Sequence, residues 1–76
     1  MSKKRDLKRQ ITESEKEIME LEQKRQRSQS ALMAAHVNNV PPAASDVEYF
    51  NLYTNLIELE RENLRQLRTE LDKLKK

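Results

Sequence analysis

The stretch VNNVPPAASDVE, residues 37–48, decides how this chain folds. It holds the only two prolines and two adjacent asparagines of a sequence otherwise crowded with Lys, Arg, Glu and Gln. Asn38 and Asn39 tolerate the left-handed conformation that ends helices, in a chain with no glycine for that purpose. Pro41 and Pro42 forbid helical continuation, because each lacks a backbone N–H and its ring clashes with the preceding turn. Ser45, followed three residues later by Glu48, has the spacing of a capping box, and Asp46 suits the positive end of a helix. The stretch therefore reads as a helix stop, a short stiff link and a helix start.

Working outward, positions spaced alternately by four and three are mostly apolar. Upstream these are Leu7, Ile11, Ser14, Ile18, Leu21, Arg25, Ser28, Leu32 and Ala35. Downstream they are Phe50, Tyr53, Ile57, Glu60, Leu64, Leu67, Leu71 and Leu74. Such heptad seams, flanked by helix formers and free of Gly and Pro, predict two long helices at about residues 4–37 and 46–75, joined over 38–45. So short a link favours antiparallel return. The predicted fold class is all-α: one antiparallel two-helix coiled-coil hairpin spanning residues 1–76 as a single domain, pairing into a four-helix bundle dimer.

A loop centred between Pro42 and Ala43 sets a register that places Leu21 opposite Leu64, Ser14 opposite Leu71 and Ile11 opposite Leu74. Arg25 then meets Glu60 in a polar layer, whose expected role is to lock register rather than to add stability. Along one edge Glu22 approaches Arg61 and Glu15 approaches Arg68.

The loop-proximal half is apolar beyond its seam. Ala31, Met33, Val47, Tyr49, Leu52, Tyr53, Leu56 and Leu59 cover several helix faces, and a two-helix hairpin has no further layer to bury them. They form the predicted partner or oligomer interface, for a second copy or for a helix of another protein.

Charge is segregated. Residues 1–10 and 65–76 carry ten basic against three acidic side chains, net +7, while residues 11–64 carry five against ten, net −5. A hairpin gathers Lys3, Lys4, Arg5, Lys8, Arg9, Arg68, Lys73, Lys75 and Lys76 into one basic tip, which the overall charge of +2 conceals. Phosphate or an acidic protein surface would suit it. No aromatic residue interleaves these cations, which argues against base stacking.

Catalytic chemistry finds little support. His36 is the only histidine and there is no cysteine, while the glutamates at 13, 15, 17, 20 and 22 lie on several faces of one helix with no loop to wrap an ion. No Gly-rich phosphate loop and no nucleophile beside a base is present. No apolar run reaches the length of a membrane span or signal-peptide core. The sequence thus predicts a soluble, intracellular (by default cytoplasmic), non-enzymatic interaction module without cofactor, metal or small-molecule substrate, acting as an assembly adaptor or small chaperone-like subunit. A nucleic-acid-associated regulator using the basic tip is the alternative.

Overall fold

The structure, a computed structural model, describes residues 2–75. It consists of two helices, α1 (Lys3–Val37) and α2 (Ala44–Leu74), packed only on each other in a rod of 56 × 16 × 14 Å. At a rise of about 1.5 Å per residue, α1 alone accounts for the length of the rod.

Each helix end has an identifiable cause. The Ser2 hydroxyl accepts from the Arg5 N–H, and the Ser2 carbonyl accepts from the Asp6 N–H, so α1 begins one residue before the sequence expectation. At the other end Asn39 takes φ 54°, the left-handed region its short amide side chain tolerates. The Asn39 N–H then donates to the His36 carbonyl and the Val40 N–H to the Ala35 carbonyl, the two reverse bonds of a Schellman motif.

The start of α2 differs from expectation. Ala43 is the N-cap, without a side-chain bond, and its carbonyl accepts from Asp46 and Val47. Ser45 lies inside the first turn and does not cap it. Pro41 and Pro42 already hold the chain extended, so the helix starts two residues earlier, at Ala44.

Both seams are where periodicity places them. Leu7, Ile18 and Leu21 of α1 are buried against Ile57, Leu64, Leu67 and Leu71 of α2, and Ile57 is the most enclosed at 1% exposure. Their pairing departs from expectation by about one heptad. Leu7, Leu67 and Leu71 form one cluster with Ile11 packed on it, while Leu74, the expected partner of Ile11, is 43% exposed. Ser14 meets Glu60 rather than Leu71. Ser28, which the register centred between Pro42 and Ala43 would set against Ile57, lines a groove with Asp46, Tyr49 and Tyr53.

The expected edge pairs nevertheless form: Arg61–Glu22 at 3.1 Å and Arg68–Glu15 at 3.0 Å. Side chains on a helix lean toward its N-terminus. In an antiparallel pair the Glu and Arg therefore lean opposite ways along the rod, and their charged ends meet while their Cα atoms lie several residues out of level. The same ion pairs thus accompany a backbone register one heptad away from the one they would suggest if the side chains stood straight out.

Candidate functional site

Tyr49, Leu52, Leu56 and Leu59 are spaced three, four and three residues apart, so successive turns of α2 bring them onto one flank beside the seam. They are 52%, 48%, 37% and 69% exposed. On the hairpin's own seam, Phe50 and Tyr53 are half-buried. Tyr53 stacks against Tyr49 with ring centroids 6.1 Å apart, tying seam and flank together. Ala31 of α1, half-buried, continues this edge toward the loop. Lys24 and Arg27 border it, sharing a groove with Tyr49 and Tyr53, and neither has an ion-pair partner among the described residues.

The predicted interface does not form one surface. Val47 lies two heptads before Arg61, and Met33 three helical turns after Glu22, so both belong to the opposite, ion-paired edge. Met33 at 61% exposure and Val47 at 38% are apolar there, with Val37 and Val40 nearby in sequence and also exposed. The continuous strip is narrower than the predicted set: Tyr49, Leu52, Leu56 and Leu59, with Ala31 and Tyr53 at its margin.

The polar layer is rearranged. Glu60 is half-buried and accepts from the Ser14 hydroxyl at 2.8 Å and from the Asn63 amide at 3.2 Å. Arg25 is half-buried and makes no ion pair among the described residues. The heptad shift carries the two apart, so the predicted Arg25–Glu60 pair is not formed. Heptad spacing alone held no signal for Ser14 as the Glu60 partner.

At the far end of the rod the antiparallel return brings the start of α1 beside the end of α2. Lys3, Lys4, Arg5, Lys8, Lys73 and Lys75 are exposed there with no ion pair among the described residues. Arg9 approaches Asp6 at 3.8 Å and Arg68 is engaged by Glu15, which leaves the tip less basic than a count of residues implies. Lys76 of the predicted tip lies outside the described residues.

Among the described residues no group of three or more His, Cys, Asp or Glu side chains is placed to hold a metal ion. No helix among the described residues is long and apolar enough to cross a membrane. A groove of about 500 Å³ runs along the ion-paired edge over Ile18 and Leu64, and Arg61 and Arg68 in its wall are already paired. No protein-family model, no curated protein and no solved structure matches this chain.

Proposed function

We propose that this chain is a non-enzymatic helical interaction module, an assembly adaptor or small chaperone-like subunit, which docks a helix through the apolar flank of the loop-proximal half. The observation that carries this reading is the Tyr49–Leu52–Leu56–Leu59 strip. Four large apolar side chains at helical spacing stand in water, with no other layer among the described residues to cover them. Leaving apolar area exposed forfeits about 25 cal/mol per Å², so a helix presenting its own apolar stripe gains by covering it.

The test is association that depends on the strip. Leu52→Lys and Leu56→Lys place a charge in a dehydrated contact, and each should abolish binding to a second copy or to a protein co-purified from the native source. Circular dichroism should show the hairpin intact. A chain that neither self-associates nor retains any protein in a strip-dependent way overturns the reading.

The basic tip supports a second reading, contact with nucleic-acid phosphates. Salt distinguishes the two. Phosphate binding should weaken steeply as salt rises, whereas docking on the apolar strip should hardly change.

A further inference from the structure

We infer that the occupant of the strip is a second copy of this chain, with α2 packed antiparallel on its counterpart and the two-fold axis level with Thr54. The inference rests on the interaction-module reading and specifies its partner.

Three observations converge on it. The first is the spacing of the strip. Intervals of three, four and three read the same in both directions, so an antiparallel copy sets Leu52 against Leu56 and Tyr49 against Leu59. A two-fold contact requires this self-complementarity, since each residue must serve as its partner's partner. Any heptad stripe has such intervals, so the spacing permits the two-fold, and area and charge favour it.

The second is area. The chain exposes 6172 Å², whereas a compact monomer of its 9.0 kDa exposes about 4,900 Å². The excess of roughly 1,300 Å² exceeds the 800 Å² or so that each partner contributes to a standard interface. One such contact would bring the exposure per chain close to that of an ordinary globular domain.

The third is charge. Lys24 lines the same groove as Tyr53, so an axis level with Thr54 crosses α1 near Lys24. On this flank of α1, Glu20 lies one turn before Lys24 and Arg27 about one turn after it. An antiparallel α2 pair places both α1 helices on the same side, completing a four-helix bundle. The two-fold then sets Glu20 level with the partner's Arg27, and the reverse, two opposite-charge pairs that flank the two Lys24 side chains brought together at the axis. Neither residue has an ion pair within its own chain among the described residues.

The experiment uses the whole chain, which has no native cysteine to interfere. Asn55→Cys and Gln66→Cys, made separately on the outer margin of the strip, each receive one spin label. Light scattering records the mass and pulsed dipolar spectroscopy the distance between labels. The inference expects twice the mass of one chain. The labels at 55 should lie close together, and those at 66 about 36 Å apart along the axis, from twelve residues on either side of it at about 1.5 Å each. Glu20→Arg or Arg27→Glu alone should weaken the dimer several-fold, and the two together should restore it. Equal distances at 55 and 66 would mean a parallel pair and overturn the inference. A dimer with both pairs far apart would also overturn it, by placing the contact elsewhere. A monomer at millimolar concentration overturns it too. If strip-dependent capture of another protein persists in that case, only the identity of the occupant has failed.

Discussion

The Ser14 hydroxyl of α1 donates to the Glu60 carboxylate of α2 at 2.8 Å, across 46 residues of sequence, and it occupies the place in the seam where a larger side chain would stand. Ser14 is 3% exposed, so a small polar residue buried in the seam leaves room for a carboxylate and also supplies one of its bonds. Asn63 supplies another, from the next turn of α2.

Ser14→Ala should therefore lower stability by roughly 1–2 kcal/mol, because a half-buried carboxylate loses a donor. The double variant Ser14→Ala with Glu60→Leu should recover most of the loss, since the polar partners leave together and an apolar contact replaces them. Urea unfolding of the two singles and the double, read as a cycle, checks the coupling.

Arg25→Ala should change stability by less than about 0.5 kcal/mol, because no ion pair is broken and no counter-charge is stranded. Exchanging charges between Arg25 and Glu60 should rescue nothing. A measurable rescue would show the two residues in contact and with it a different register.

The register itself can be trapped covalently. Ile11→Cys with Leu67→Cys should oxidise to an intramolecular disulfide and raise stability by up to about 4 kcal/mol, given the long loop it closes. Ile11→Cys with Leu74→Cys should oxidise poorly, since Leu74 lies outside the cluster around Ile11. Gel mobility under non-reducing conditions separates the outcomes.

Asn39 holds the reverse turn after α1 with a positive φ. Asn39→Gly should be neutral or stabilise by a few tenths of a kcal/mol. Asn39→Val should cost on the order of 1–2 kcal/mol, because a β-branched side chain clashes in that conformation. Thermal unfolding of the pair gives the sign directly.

The two edge ion pairs are exposed, with 55% of the Arg61 side chain and 41% of the Glu22 side chain open to solvent. Arg61→Ala and Arg68→Ala should each cost less than about 1 kcal/mol, and the effect should shrink in high salt.

The sequence by itself determined the two helices, the turn between them, the residues of each seam and the loop-proximal apolar excess. All of these follow from local chemistry or from the period of one helix: prolines that stop it, an asparagine that tolerates φ 54°, leucines that recur every three and four residues. Only the tertiary structure decided which turn of α1 faces which turn of α2. A heptad pattern slid by seven residues still matches itself, so periodicity cannot choose between neighbouring registers. The leaning Glu–Arg pairs did not break the tie when read as if they stood level. The features that mark the register adopted act across the interface: Ser14 meets Glu60, and Leu7 and Ile11 pack with Leu67 and Leu71. The split of the predicted interface, by contrast, was legible in the period of each helix: Val47 stands two heptads before Arg61 and Met33 three turns after Glu22, which puts both on the edge opposite Tyr49 and Leu56.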